Sequence, residues 1–271
     1  GLEVRKSSTA SKPCPLYAIM NSRFLIILLL AISPKLKADC LEYGTRFISP
    51  LGKSITNQSV FIIASSDTNT LSSILKGQFC YLKEENGKTK ILLIVVKVCE
   101  GYNMTQVVLR PSTELDVSKN YGLYYFTSPT KGKQKQIEVA TRKWFVKKES
   151  NNQLIWQSQP KIGNKYFGLN GCGADAMVYF QLPEHDSSIS LIKAVIKNKS
   201  TGKESMCYLK GNSSNMIVLG HNMCWGEFEF EKESGKDQEQ YEITFYLVNE
   251  DGLISAPSQT ITFVQPSLTD L

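Results

Sequence analysis

Few residues of this chain carry the chemistry of a catalytic site. The 271 residues include only two histidines, His185 and His221, which excludes most catalytic triads and most hydrolytic metal centres. His185 stands between Glu184 and Asp186, and three adjacent side chains on a loop cannot all converge on one metal ion. His221 could activate the thiol of Cys224, although an exported chain more often uses such a cysteine in a disulfide. We therefore predict no catalytic residue, no metal and no cofactor.

Four alternating carboxylates in residues 227–233 are the other candidate for chemistry. They begin at Glu227 and end at Glu233, with Phe228 and Phe230 among the residues between them. A strand here would place the carboxylates on one face and the rings in the core. We predict a solvated sheet face. The alternative is a hydrolase, which requires one of these carboxylates to lie in a cleft with a raised pKa.

A basic stretch around Trp144 is the candidate for binding. Residues 131–148 contain seven lysines and arginines and a single acid, Glu138. This composition indicates contact with an acidic glycan or another anionic surface. We take Arg142, Lys143, Trp144 and, beyond the stretch, Trp156 as candidate ligand-binding residues. The alternative is a last strand with a solvated lysine face, an inward Trp144, and tryptophans that serve packing between domains.

Residues 1–38 have the pattern of an upstream extension followed by a secretory signal peptide. A positive start at Arg23 precedes a run of nine apolar residues, 24–32, and Ala38 is a small residue before Asp39. Nine apolar residues are too few to cross a bilayer but fit a signal peptide, so we expect cleavage after Ala38. An uncleaved anchor helix is the alternative. The protein is thus expected to be secreted or at the cell surface, or periplasmic in a bacterium, without membrane insertion after cleavage.

The net charge of the chain lies mostly in this leader. Residues 1–38 hold six basic side chains and one acid, whereas the whole chain has a formal charge of +6. The remainder is therefore close to neutral. No glycine-rich phosphate loop opens a helix, and we expect neither nucleotide nor nucleic acid as a partner.

The cysteines that follow the leader indicate disulfides. Six of the seven remain, and an even number in an exported chain is typical of paired cysteines, although the sequence alone does not fix their pairing. We expect bridges within two hairpins and one longer bridge. The expected pairs are Cys80 with Cys99, Cys207 with Cys224, and Cys40 with Cys172.

Short segments rich in β-branched and aromatic residues run through the whole chain after the leader, and turn-forming clusters separate them. No segment keeps a helical period over three turns. The fold class is therefore all-β. The predicted strands are 59–64, 91–98, 105–109, 121–126, 176–182, 191–196, 227–231, and a closing hairpin of 241–248 with 259–264.

Similar motifs recur in the same order in two parts of the chain, which predicts two homologous domains, 39–148 and 149–267, separated within the polar segment 147–153. Cys99-Glu-Gly101 recurs as Cys224-Trp-Gly226, and Cys80-Tyr-Leu-Lys83 recurs as Cys207-Tyr-Leu-Lys210. A competing alignment matches the turn Asn86-Gly-Lys88 with Thr201-Gly-Lys203. In this alignment Cys207 lies one strand later in its domain than Cys80 does, so the two cysteines do not correspond.

The closing hairpin resembles the last hairpin of a fibronectin type III module. Tyr241 leads an alternating strand, which is followed by Asn249, Gly252 and a second strand. In the first domain Leu115-Asp-Val-Ser-Lys-Asn-Tyr121 is similar to the Leu-x-Pro-x-Thr-x-Tyr pattern of that family. The resemblance implies tandem fibronectin type III or related immunoglobulin-like β-sandwiches of an exported, bacterial type. It also implies that Tyr121 and Tyr241 are tyrosine corners, whose hydroxyls hydrogen-bond to upstream backbone.

These observations predict a non-catalytic exported protein that binds or spaces a protein or glycan at the cell surface. A carbohydrate-binding accessory module is the first alternative and would require Trp144 or Trp156 to be exposed. The hydrolase that uses residues 227–233 is the second. The sequence does not indicate an oligomeric state.

Overall fold

Strands form nearly all of the regular structure, which confirms the all-β prediction. The computed structural model describes residues 44–77, 80–127, 135–149, 153–170, 173–184, 189–211, 215–231 and 239–267. The first half, up to residue 149, contains β1 (Thr45–Ser49), β2 (Ser54–Ile55), β3 (Phe61–Ser65), α1 (Thr68–Leu75), β4 (Cys80–Glu84), β5 (Lys90–Glu100), β6 (Thr105–Pro111), β7 (Asn120–Thr127) and β8 (Lys135–Val146). The second half, from residue 153, contains β9 (Lys161–Asn170), β10 (Gly173–Gln181), β11 (Ile189–Asn198), β12 (Glu204–Leu209), β13 (Met216–His221), β14 (Gln240–Asn249) and β15 (Ile261–Val264).

The helix α1 is one of the elements that the sequence pattern does not predict; the predicted strand ranges also omit β1, β2, β4, β8, β9, β12 and β13. The N-cap of α1 is Asp67, whose side chain accepts hydrogen bonds from the backbone N–H groups of Asn69 and Thr70. It ends before Gly77, which has a φ of +67°, a conformation that glycine adopts without steric cost. Two turns are too short for a helical period to stand out in the sequence. In the described part of the chain, no helix has the length and apolar character needed to span a membrane.

The first half is one sheet that folds over at β5. Its strand order is β1-β3-β6-β5-β4-β7-β8-β2. The start of β5 pairs with β4, and the rest pairs with β6 around a bulge between Val95 and Lys97. Such a bulge bends the strand and lets the two parts of the sheet face each other. A single core lies between them and includes Phe61, Leu82 and Trp144.

The second half is a two-layer β-sandwich. A sheet with the order β13-β10-β9 packs against a sheet with the order β12-β11-β14-β15. Alternate residues of β14, from Tyr241 to Leu247, are buried, as its period of two predicts. The two layers meet in one core, where the rings of Phe180 on β10 and Phe245 on β14 lie 5.1 Å apart.

Strand pairing decides between the two alignments of the sequence motifs. In the first half the Tyr121 strand, β7, pairs with β4. In the second half the Tyr241 strand, β14, pairs with β11 and not with β12, which carries Cys207. Cys207 therefore lies one strand further along than Cys80, and the match between these two cysteines is wrong. The turns Asn86-Gly-Lys88 and Thr201-Gly-Lys203 are the ones that occupy corresponding places.

A third apolar cluster joins the halves. Along the chain, Val146 still belongs to the first core, whereas Leu154 already packs against the second. The joining cluster combines Ile62 and Val108 of the first half with Leu191, Tyr208 and Val248 of the second. With these contacts residues 40–271 form one compact unit. The positions of the two halves relative to each other are thus set by packed side chains.

Candidate functional site

The turn after β14 contacts the first half through two hydrogen bonds and an ion pair. The hydroxyl of Thr56 donates to the carbonyl of Asp251 at 2.9 Å, and the hydroxyl of Ser59 donates to the carbonyl of Glu250 at 2.6 Å. The ammonium of Lys147 lies 3.0 Å from the carboxylate of Asp251, which is buried. The turn that closes the last hairpin in the sequence therefore also serves as a contact between the halves.

Gln106 makes a second contact through both ends of its side-chain amide. Its Nε2 donates to the carbonyl of Tyr208, and its Oε1 accepts from the backbone N–H of Tyr208, each at 2.8 Å. Gln106 is 2% exposed, so neither bond competes with water. The pair of bonds occupies the outer edge of β12 at Tyr208.

The two Cys-x-Gly motifs meet directly and make the third contact. The N–H of Gly226 donates to the carbonyl of Tyr102 at 2.9 Å. A Cβ atom on Gly101 would lie 2.4 Å from the carbonyl oxygen of Gly226, so only glycine fits there. The ring of His221 stacks on Tyr102 at 4.1 Å, and its Nδ1 lies 3.0 Å from the carbonyl oxygen of Asn222. His221 thus takes part in the contact between the halves.

The two hairpin disulfides predicted from the sequence are wrong. Cys80, Cys99 and Cys207 have free thiols, and Cys224 is disulfide-bonded to none of them. Cys80 faces the first core, whereas its proposed partner Cys99 faces the cluster between the halves. Cys207 faces the second core. Burial raises the pKa of Cys80 to about 12 and that of Cys99 to about 11, and it also raises the pKa of Cys207. The predicted pair Cys40 and Cys172 lies outside the described residues.

The three contacts leave a cleft of about 420 Å³ between the halves. The first half lines it with Arg46, Phe47 and Ile48 of β1, with Leu51, and with Arg142 of β8. The second half lines it with Tyr208, Leu209 and Lys210 at the end of β12, with Met216 and Val218 of β13, and with Glu227. We refer to these residues as the cleft. Its volume is in the range of small-molecule sites, which is roughly 300 to 1,000 Å³.

One ion pair crosses the cleft. Arg46 Nη2 lies 2.9 Å from Glu227 Oε1, and the guanidinium of Arg46 lies 4.9 Å from the ring centre of Trp225. Burial raises the pKa of Glu227 above its usual value, although the neighbouring Arg46 acts in the opposite direction. The charge of Arg46 is therefore paired within the protein, with the carboxylate of Glu227.

Arg142 and Lys210 carry charges that the cleft does not neutralise. Among the described residues, no carboxylate lies within 4.0 Å of either side chain. Arg142 lies 5.8 Å from the ring centre of Phe47, and its nearest acceptor is the carbonyl of Pro50 at 3.5 Å. Glu250 acts on Arg142 electrostatically from a greater distance. The cleft thus combines apolar lining residues with two exposed basic side chains.

The structure separates the four residues that the sequence suggests for ligand binding. Arg142 lines the cleft, whereas Lys143 is exposed and ion-paired with Glu85. Trp144 is fully buried in the first core, with its ring 5.6 Å from that of Phe47, so it is not available to a ligand. Trp144 packs against Phe47, which lines the cleft.

Trp156 does not form an aromatic pair with Trp144. It is half-buried against the second core, and its indole N–H donates to the carbonyl of Ala256 at 3.1 Å. No sequence pattern predicts that Arg46 and Lys210 line the same cleft as Arg142. Only the pairing of β1 and the position of β12 bring them together.

The carboxylates of Glu227, Glu229 and Glu231 do not lie on a sheet face. Residues 227–231 belong to no sheet of the described chain, so the predicted strand is wrong. Next to them, Gly226 forms only an isolated bridge with His221 at the end of β13. The side chains still alternate, since Phe228 and Phe230 are buried and Glu229 is exposed. Glu233 lies outside the described residues. Within the described residues no group of three His, Cys, Asp or Glu side chains could hold a metal ion.

The two strand-leading tyrosines have similar surroundings in the two halves. The hydroxyl of Tyr121 accepts a hydrogen bond from the backbone N–H of Asp116 at 3.2 Å. The hydroxyl of Tyr241 accepts one from the backbone N–H of Glu231 at 3.1 Å. Both rings are buried, so each bond fixes an upstream loop to a core.

No family model matches the chain, and no curated protein resembles it at a significant level. Among solved structures, it is similar to a pullulanase from Anoxybacillus sp. LM18-11 complexed with maltotriose, with 8% identity, a TM-score of 0.21, and coverage of 77% of this chain and 24% of that chain. Pullulanase type I from Bacillus subtilis str. 168, complexed with maltose, shows 7% identity, a TM-score of 0.19, and coverage of 78% and 25%. A cytokine receptor complex shows 10% identity, a TM-score of 0.23, and coverage of 82% and 95%. This chain spans about a quarter of the pullulanases, and likenesses this low assign neither a family nor a function.

Proposed function

We propose that this chain is a non-catalytic exported protein of two immunoglobulin-like sandwiches that binds a partner protein through the cleft between them. The single observation that carries the proposal is the cleft itself, in which Arg142 and Lys210 have no carboxylate partner among the described residues. Both residues are exposed, so their charges are available to an anionic group of a partner, which they would attract and orient. The signal-peptide pattern within residues 1–38 is the support for export.

The sandwich architecture supports the resemblance to fibronectin type III modules. In the second half three strands pack against four, and the central strand of the larger sheet is led by a tyrosine that holds an upstream loop. Such sandwiches have many roles, so the fold itself does not choose a partner. The residues that line the cleft provide the binding surface that the fold class does not specify.

Fixed contacts between the halves favour binding through the cleft. The Gln106 amide, the turn at Asp251 and the glycine contact at Gly101 hold both walls before any ligand arrives. A site that is already formed loses less entropy on binding than one that must be assembled. The distance between the walls is therefore a property of the free protein.

Site-specific crosslinking on the cells that make the protein tests the proposal. A photoreactive phenylalanine derivative replaces Leu51 in the cleft or, as a matched control, Ile155, which is 70% exposed and not part of the cleft. We expect a discrete protein adduct from position 51 that position 155 does not give. Identical adducts from both positions, or none from either, would refute binding through the cleft. A glycan adduct at position 51 would support the carbohydrate-binding alternative instead.

The hydrolase alternative retains one observation in its favour. Glu227 lies in the cleft, and burial raises its pKa, as a general acid requires. A glycosidase of the usual kind needs a second carboxylate, and Glu227 is the only acid among the described cleft residues. Hydrolysis of chromogenic glycosides that is lost in the Glu227→Gln variant would establish this alternative, and the absence of turnover would remove it.

A further inference from the structure

Strand β5 is apolar on both of its faces, although only one of them faces the first core. Its sequence from Ile91 to Val96 contains no polar residue. Ile91 and Leu93 belong to the first core. The residues that alternate with them are exposed, Leu92 and Ile94 at 49% and Val96 at 47%. Antiparallel sheets commonly combine one apolar face with one polar face, so an apolar second face is expected to be covered by another structure.

The second half of the chain already covers another part of the same sheet face. Ile94 pairs with Arg110 on β6, and Val108 lies two residues before Arg110 on that strand, so all three side chains project from one face. Val108 is buried in the cluster that joins the halves, together with Cys99 near the end of β5. The exposed residues of β5 therefore continue a surface that already packs against protein. Because the second half projects from this face, a flat lipid surface could not lie along all of it.

The residues around this apolar surface are basic. Lys90 and Lys97 stand at the two ends of the apolar run, and Arg110 lies beside Ile94. Both lysines are exposed, and no carboxylate of the described residues lies within 4.0 Å of either amine. The outward positions of β4, β5 and β6, three strands that the structure describes in full, contain no acidic residue. We refer to the basic and apolar residues on this side as the β5 face, namely Lys90, Leu92, Ile94, Val96, Lys97 and Arg110.

We propose that the β5 face binds a partner protein that presents an apolar patch bordered by aspartate or glutamate side chains. Protein interfaces commonly have such an apolar centre and a polar rim. Opposite charges on the two rims favour encounter and disfavour other surfaces. None of these residues lines the cleft, so the inference goes beyond the proposed function and is independent of it.

The same charges disfavour a second copy of the chain as the occupant. A two-fold axis through the middle of the apolar run would bring Lys90 of one protomer close to Lys97 of the other. Like charges that meet across an interface oppose association. The charges of the β5 face therefore favour a different, acidic protein.

Crosslinking from the β5 face, on the cells that make the protein, tests the inference. A photoreactive phenylalanine derivative replaces Ile94 or, as a matched control, Leu75 of α1, which is similarly exposed at 47% but lies outside the β5 face. Position 94 should give an adduct with one partner protein that position 75 does not give. Mass spectrometry of this adduct should place the crosslink in an apolar surface with Asp or Glu among its neighbours.

Lysine variants then test the part played by charge. With the photoreactive residue at position 94, the double variant Lys90→Gln, Lys97→Gln should lower the adduct yield by about fivefold or more, whereas Lys90→Arg, Lys97→Arg should retain it. The matched control is Lys148→Gln, Lys161→Gln, which removes the same net charge from exposed lysines outside the β5 face. This control leaves the yield unchanged.

Several results would overturn the inference. They are an adduct that does not depend on the two lysines, a crosslinked partner surface without acids, and the lack of an adduct specific to position 94. An adduct between two copies of the chain would overturn it in favour of self-association. Sedimentation of the chain with vesicles of phosphatidylcholine and phosphatidylserine, but not of phosphatidylcholine alone, would overturn it in favour of a lipid surface if it required Lys90 and Lys97. Crosslinking at position 51 in the cleft is a separate measurement, so the proposed function and this inference stand or fail independently.

Discussion

Replacement of Gln106 by methionine provides a quantitative test of how the two halves are joined. Methionine keeps the length and approximate volume of the side chain but removes both hydrogen bonds to Tyr208. The N–H and C=O of Tyr208 then remain buried without partners, at a cost of about 1 to 3 kcal/mol each. We therefore expect the free energy of unfolding to fall by about 2 to 6 kcal/mol, a large part of the roughly 5 to 15 kcal/mol typical of folded proteins.

Urea unfolding followed by circular dichroism and tryptophan fluorescence measures this loss. Hydrogen exchange should show in the same variant that the Tyr208 amide, protected in the wild type, exchanges quickly. The matched control is Gln157→Ala, because Gln157 is exposed, and its effect should stay within about 0.5 kcal/mol. A loss below about 0.5 kcal/mol for Gln106→Met would show that water or rearrangement replaces the two bonds, and the reasoning would be refuted.

Four further predictions concern Tyr241, Gly101, Glu227 and the free thiols. Tyr241→Phe removes the bond from the Glu231 N–H and should cost about 0.5 to 1.5 kcal/mol in urea unfolding, whereas an unchanged midpoint would contradict the assigned role. Gly101→Ala places a Cβ atom 2.4 Å from a carbonyl oxygen and should destabilise the chain far more than Gly211→Ala, whose Cβ atom would meet nothing closer than 4.0 Å. Because burial raises the pKa of Glu227 above 4.5, the folded chain binds this proton more tightly than the unfolded chain, and its contribution to stability falls as pH rises above about 4.5. The stability of Glu227→Gln relative to wild type should therefore increase over the same range, and a pH-independent difference would exclude this linkage. The three free thiols should react with iodoacetamide near about pH 8 only after unfolding, and peptide mapping that finds them alkylated in the native chain would contradict their burial.

Most of the predicted strands coincide with strands of the structure, because the signal of each lies within a few neighbouring residues. The alternation in β14 and the apolar run in β5 are examples, and their inward residues are the buried ones. The segment 227–231 has the same alternation but lacks a neighbouring strand, since a strand needs a partner that its own sequence does not specify. The helix α1 is missed because two turns leave too short a pattern. The predicted hairpin disulfides are wrong because cysteine spacing does not show which way each side chain faces.

The candidate site was predictable only in part. The basic stretch around Trp144 contributes Arg142 to the cleft, although Trp144 itself is in the core. The other charged residues of the cleft, Arg46, Lys210 and Glu227, are distant from this stretch in the sequence and from one another. No local pattern distinguishes them from ordinary surface residues.

The sequence by itself determined the fold class of this protein, since alternating apolar residues and turn-forming clusters favour strands whatever surrounds them. It also indicated the leader and the near neutrality of the rest of the chain. The tertiary structure alone decided which of the described cysteines stay free and which charged side chains line the cleft. These properties depend on contacts between residues far apart in the sequence, such as Gln106 with Tyr208 and Arg46 with Glu227. The physical reason is that pairing of backbone edges and burial of charges are properties of the assembled surfaces, which no single segment contains.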